Sequence, residues 1–204
     1  MVQNASATPN RLGRRPGFDR ETVVQAAIPA FWSKGFEATT LSDLEAATGV
    51  DRSSIYNSFG GKDGLYRSAA AAYVASAENV LFDPLHNGTA GVADIAEFLD
   101  RLEENLGLGT GTQGCLIVND MCATVDRQST NLYLTRLEDG FGAALERASA
   151  LGEINSDMND QRSQLLTAAI LGVNITHRND DSRPRVPDLI SALRSEVRSW
   201  SVSQ

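Results

Sequence analysis

The stretch TGVDRSSIYNSFGGKDGLY, Thr48 to Tyr66, decides how the chain is read. Two tyrosines, three serines and an asparagine lie among a few charges, and a helical face this short and polar contributes little to a core. Its punctuation is nevertheless regular. Gly49 supplies the positive φ that a tight turn requires, Asp51 can cap a short helix, and Gly60-Gly61 can end it. Within that helix Ile55 and Phe59 lie four apart and point inward, which leaves Arg52, Ser53, Ser54, Tyr56 and Asn57 for the outer face.

Working outward, the preceding segment has the same grammar. Thr40 can cap a short helix, with Asp43 three residues on as in a capping box. Before it, Val24, Ile28 and Phe31 with Ala27 and Ala30 recur at helical spacing from Asp19 to Lys34, and Gly35 stops the segment. Pro29 inside this helix is expected to bend it. Three short helices, the last two joined by a tight turn, fit a helix-turn-helix. Its outer face is chemically suited to DNA. Arg takes the guanine edge and Asn the adenine edge in the major groove, while Ser and Tyr reach bases or phosphates. Thr40 and Lys62 stand at helix N-termini, where phosphate is favoured.

Downstream the pattern stays helical. An alanine-rich helix is predicted from Lys62 to about Phe82, closed by Asp83-Pro84, and another from about Ala90 to Leu106 on Val92, Ile95, Phe98, Leu99 and Leu102. Further helices are expected from Cys115, over Ser129–Leu151 and Asp160–Thr176, and at the end of the chain on Leu189, Ile190, Leu193, Val197 and Trp200. No segment alternates long enough to suggest a sheet, so the fold class is all-α.

The bulk numbers bound the function. The 204 residues are 42% hydrophobic and 22% charged, ordinary for a globular chain, and no apolar run approaches the length needed to cross a bilayer. The first eighteen residues lack the apolar centre of a secretory signal and read as a flexible basic arm with Arg11, Arg14 and Arg15. A cytoplasmic protein with reduced thiols is expected. The net charge of -8 is uneven: residues 1–67 carry eight basic and seven acidic side chains, residues 68–204 ten and nineteen. The front end tolerates a polyanion and the rest does not.

The run ETVVQAAIPAFWSKGFEATTLSDLEAATGVDRSSIYNSFGGKDGLY resembles the DNA-binding domain of TetR-family transcriptional regulators. The resemblance rests on Ala27, Phe31, Gly35-Phe36, Thr39-Thr40, Leu44, Gly49-Val50, Ile55-Tyr56, Phe59, Lys62 and Leu65. Asp51 stands where the family commonly has Ser, and either caps a helix. The resemblance implies an arm over 1–18, a reading head over 19–66, and a larger helical body over 67–204 that binds an effector and dimerises. It implies phosphate contacts at Thr40, Ser54, Tyr56 and Lys62, and base reading at Arg52, Ser53 and Asn57. The partners implied are a double-stranded DNA operator, a second copy of the chain in a homodimer, and an unidentified small-molecule effector, with no cofactor and no membrane. A repressor released by its effector is the expected outcome, with half-sites roughly 34–36 Å or a multiple of that apart.

In the family the last two helices pair with their mates. Leu165, Leu166, Ala169, Ile170 and Val173, with Leu189, Ile190, Leu193 and Val197, are therefore the expected dimer face. Effector-pocket candidates are Phe82, Phe98, Leu102, Cys115, Met121, Tyr133, Phe141 and His177.

Two further motifs need weighing. GTGTQG, Gly109 to Gly114, spells a dinucleotide fingerprint, which would make the chain a nucleotide-binding enzyme. That fingerprint must follow a strand and open a βαβ unit, whereas a charged helix precedes this one. A connector is the better reading, and the chain is read as not being an enzyme. With only His86 and His177, a metal centre is poorly supported. The box GCLIVND resembles a Gly-Cys-Leu segment found in a subset of TetR regulators, some of them sensors of electrophiles or oxidants. Cys115 would start a helix there, where the dipole favours thiolate. Cys122, seven residues on and roughly 10 Å up the axis, is too far for a disulfide.

Overall fold

The computed structural model describes residues 17–107, 114–121, 126–179 and 181–201. The basic arm up to residue 16, Gly109 and the rest of the glycine run before Gly114, and Cys122 lie outside them. The described residues form helices and turns, with a single isolated bridge between Ile154 and Ser201 and no strand.

Helix α1 spans Arg20–Ala38. Asp19 caps it by accepting from the Thr22 N–H at 2.9 Å. The helix breaks at Gly35, with φ 76°. Pro29 lies on the exposed side and the backbone angles around it stay helical, so the expected bend is at Gly35 instead. Helix α2 is Leu41–Thr48, opened by the Thr40–Asp43 capping box. Lys34 at 2.6 Å, with the Thr40 N–H and hydroxyl, holds the Asp43 carboxyl far below the usual carboxylate range. Gly49 at φ 69° makes the turn, and α3 follows over Arg52–Phe59, capped by Asp51.

The helix expected from Lys62 to Phe82 changes character partway and runs on past Phe82 without a break. Helix α4 runs over Lys62–Ala77, a π-helical turn covers Glu78–Phe82, and α5 is Asp83–Asn87. Pro84 falls in the first turn of α5, so Asp83-Pro84 does not close the helical run, which continues to Asn87. Then come α6 (Val92–Gly107), the four-residue α7 (Leu116–Asn119), α8 (Arg127–Ala150), α9 (Asn159–Arg178) and α10 (Val186–Ser199).

Two aromatic clusters organise the interior. In the head, Phe31, Phe36 and Tyr66 meet edge-on or stacked, with centroids 5.0 to 6.4 Å apart. In the body, Phe82 packs on Phe98 and Tyr133, and Phe98 on Phe141. Helix α4 belongs to both: Leu65 and Tyr66 are buried under the head, and Val74 toward the body. The expected boundary at residue 66 thus falls inside a continuous helix.

Candidate nucleic-acid interface and effector cavity

Helix α3 divides as its spacing demands. Ile55 and Phe59 are buried, while Arg52, Ser53, Tyr56 and Asn57 are exposed and Ser54 is half-buried. Tyr56 is 54% exposed, unusual for an aromatic ring. One ring edge rests on Gly61, where a Cβ would come within 2.9 Å of Tyr56 Cε1. Only glycine suits that position, at φ 102°.

Glu45 was not singled out from the sequence, yet it steadies the start of α3. Its Oε1 accepts from the Arg52 N–H at 2.7 Å, and its Oε2 lies 3.6 Å from the Arg52 guanidinium. The link joins the end of α2 to the beginning of α3 across the turn, and no local spacing announces it. Arg20 does the same at the other end: its guanidinium lies 4.3 Å over the Phe59 ring and donates to the Ser58 carbonyl.

The two expected phosphate anchors differ. Thr40 is exposed, with its hydroxyl in the capping box. Lys62 is half-buried: its Nζ donates to the carbonyls of Thr39 (2.8 Å) and Glu37 (3.2 Å) and sits 4.3 Å over the Phe36 ring. Lys62 ties α4 to the end of α1, and has at most one donor left for a phosphate.

Beneath the head lies a cavity of about 380 Å³. Helix α1 gives it Gln25, Ile28 and Trp32; α4 gives Tyr73, Ser76 and Ala77; the π turn gives Val80 and Leu81. Leu102, Asn105 and Leu106 come from α6, Gly114 and Cys115 from the start of the GCLIVND box, Tyr133 from α8 and Asn174 from α9. Of the expected pocket residues, Leu102, Cys115 and Tyr133 line it. Phe82, Phe98 and Phe141 do not: their rings fill the body core. Met121 packs half-buried beside that core. His177 is buried and lines a neighbouring cavity with Glu103, Leu106 and Arg183. Its Nε2 lies 3.1 Å from the Leu106 carbonyl, and burial with the nearby Arg183 lowers its pKa.

Cys115 also departs from expectation. It caps a helix of only four residues and is fully enclosed. Burial pushes its thiol pKa up, outweighing hydrogen bonds that favour the thiolate. The hydroxyls of Tyr73 and Tyr133 hydrogen-bond to its sulfur, and burial raises their pKa values too.

The GCLIVND box has a second role that its cysteine conceals. The Trp32 indole N–H donates to the Gly114 carbonyl at 2.8 Å. At the other end, the Asp120 carboxylate accepts from the Tyr66 hydroxyl at 3.0 Å and from the Phe36 N–H at 3.3 Å, at the break in α1. Gly114 to Asp120 therefore bridges cavity and head.

The surfaces of α9 and α10 split likewise. Leu166, Ile170, Val173, Ile190 and Val197 are buried within the chain and leave the expected dimer face. What α9 presents outward is Leu165, Ala168, Gly172 and Ile175, with Leu165 51% and Ile175 62% exposed. Ala169 and Leu193 are half-buried and Leu189 is exposed at the margin.

An all-α chain with an N-terminal helix-turn-helix, whose second helix of the pair shows a polar outer face, defines a DNA-binding regulator of transcription. The family model described as bacterial regulatory proteins, tetR family, matches residues 23–69. The HTH-type transcriptional repressor ComR of Escherichia coli (strain K12) is 30% identical over 199 residues, covering 92% of this chain and 91% of ComR. The chain belongs to the TetR family of transcriptional regulators, and is not an enzyme. Solved structures agree on the fold. A TetR transcriptional regulator from Chloroflexus aurantiacus superposes with a TM-score of 0.78 at 22% identity, covering 89% of this chain and 95% of that one. A cysteine mutant of the TetR-family regulator CifR, complexed with 26-bp double-strand operator DNA, gives 0.76 at 23% identity, covering 92% and 100%.

Proposed function

We propose that the protein is a dimeric, cytoplasmic repressor that binds a near-palindromic operator and leaves it when a small molecule enters the body. The carrying observation is the outer face of α3: Arg52, Ser53, Tyr56 and Asn57 stand exposed on a helix otherwise anchored by Ile55 and Phe59. Arg52 and Asn57 are assigned base edges, and Tyr56, Ser53, Ser54 and Thr40 a mixture of bases and phosphates. Dimerisation is assigned to the apolar outer stripe of α9, whose small residues Ala168 and Gly172 permit close approach of a second copy, with Leu189 at its edge. The repressor sense is supported by ComR, itself described as a repressor. Release by reversible binding is favoured over thiolate chemistry because Cys115 is enclosed and its pKa raised.

An effector acts only through different affinities for two states. The cavity is suited to this because α1 of the head forms one of its walls. Selection from random-sequence duplexes by the purified protein tests the reading. Enrichment of a two-fold symmetric site is expected, and enrichment of no sequence, or of asymmetric sites only, contradicts it.

A further inference from the structure

The cavity beneath the head has a chemical character that no element of the fold requires. None of its described lining residues carries a charge, in a chain whose residues are 22% Asp, Glu, Lys and Arg. The lining groups that could ionise, Cys115, Tyr73 and Tyr133, all have raised pKa values, so they are neutral at pH 7 as well.

The polar groups are sorted by depth. Gln25, Ser76 and Asn105 are exposed and ring the mouth, while Cys115, Tyr133 and Asn174 are buried at the floor. Between them the walls are apolar or aromatic: Ile28, Trp32, Leu81 and Leu102, with the Tyr73 ring edge-on to Trp32 at 5.4 Å. An ion entering this space would lose water and meet no counter-charge, which is prohibitive without a partner. A neutral molecule loses little, and its hydrogen-bonding groups can meet the exposed Gln25, Ser76 and Asn105 at the mouth. At 380 Å³ the space falls in the range of about 300–1,000 Å³ usual for small-molecule sites.

The geometry points to an uncharged, mainly apolar molecule with one or two hydrogen-bonding groups as the ligand of this cavity, acting on the head through direct contact with α1. The inference rests on the reading of the protein as a ligand-released DNA binder, and narrows it. Three of the cavity walls' residues, Gln25, Ile28 and Trp32, belong to the head. The same Trp32 holds Gly114, so a ligand that turns the indole also disturbs the bridge ending at Asp120.

Trp32 is also the reporter for the test. The chain has two tryptophans, and Trp200→Phe in the full-length protein leaves Trp32 as the sole emitter. A matched series is titrated: para-butylbenzyl alcohol and para-butylbenzamide against para-butylbenzoate and para-butylbenzylammonium. The neutral pair is expected to shift Trp32 emission and bind at least tenfold more tightly than either ion. It is also expected to weaken operator binding at least tenfold. The ammonium is the severe control, because residues 68–204 carry nineteen acidic and ten basic side chains and attract cations generally. Ala77→Met, which fills the cavity, should weaken the neutral pair tenfold, with a thermal melt verifying that the variant is folded.

Equal binding of the ions, no response of Trp32 to the neutral pair, or unchanged affinity in Ala77→Met overturns the ligand assignment. Neutral binding that leaves operator affinity unchanged overturns the action through α1. Failure of the ligand-free protein to bind any operator would instead defeat the regulator reading itself, so the two failures are separable.

Discussion

Tyr56 and Tyr133 put the same side chain to opposite uses. Tyr56, on the outer face of α3, is 54% exposed and rests only one edge on Gly61. Tyr133, at the floor of the cavity, is 2% exposed and gives its hydroxyl to Cys115. A surface that reads DNA must leave its donors and acceptors open until the duplex arrives. A buried wall must satisfy them within the protein, because a buried polar group without a partner costs about 1–3 kcal/mol. The head is therefore built on outward polar groups over a small aromatic anchor, and the cavity on inward polar groups under an apolar wall.

The contrast can be broken experimentally, and the largest effect should come from neither region but from the α9 stripe proposed to pair two heads. Leu165→Glu with Ile175→Glu places charges on the exposed apolar face of α9. Sedimentation should show a monomer, with operator affinity reduced at least about 100-fold because two linked heads gain 10²–10⁴ in avidity. A dimer that persists would move the interface elsewhere.

Next, Tyr56→Ala should weaken operator binding about tenfold or more in anisotropy titrations, equivalent to roughly 1–3 kcal/mol for one contact. The melting temperature should hardly change, since the ring is mostly in solvent. Were Tyr56 a core residue, the two effects would be reversed. Asp120→Asn tests the bridge between the regions. Two hydrogen bonds from the head lose their charged acceptor, and a loss of about 1–3 kcal/mol in denaturant unfolding is expected. No change in stability would mean that the bridge holds nothing.

The smallest effect concerns Cys115. Its pKa is raised, so at pH 7 it stays protonated, and thiolate appears only above the ordinary thiol range. In a Cys122→Ser background, iodoacetamide should modify native Cys115 at least tenfold more slowly than the unfolded chain, with the rate rising as pH is raised. Equal rates would place the thiol in solvent.

The head was largely legible because its caps, its turn and its inward pair are local. Caps at Asp19, Thr40 and Asp51, the turn at Gly49 and the inward pair Ile55 and Phe59 follow from residues within one or two turns of each other. The Glu45–Arg52 and Arg20–Phe59 links were not legible, because they join separate helices. The body was legible only as helices. Phe82, Phe98 and Phe141 are indistinguishable by spacing from residues lining a pocket, and only the tertiary packing sends them into the core. By spacing alone the apolar stripes of α9 and α10 form one surface. The packing splits them, with Ile170 and Val173 inward and Leu165 and Ile175 outward. For Cys115 the sequence shows a helix start but not its depth, and burial outweighs the dipole there.

The outer face of α3 is proposed to choose DNA sequence. This is tested most directly by repeating the random-duplex selection with Arg52→Ala and Asn57→Ala beside the wild type. Each variant should still enrich a two-fold symmetric site, with preference relaxed at one symmetric pair of positions, a guanine for Arg52 and an adenine for Asn57. Recovery of the wild-type site, unrelaxed at every position, by both variants would contradict it.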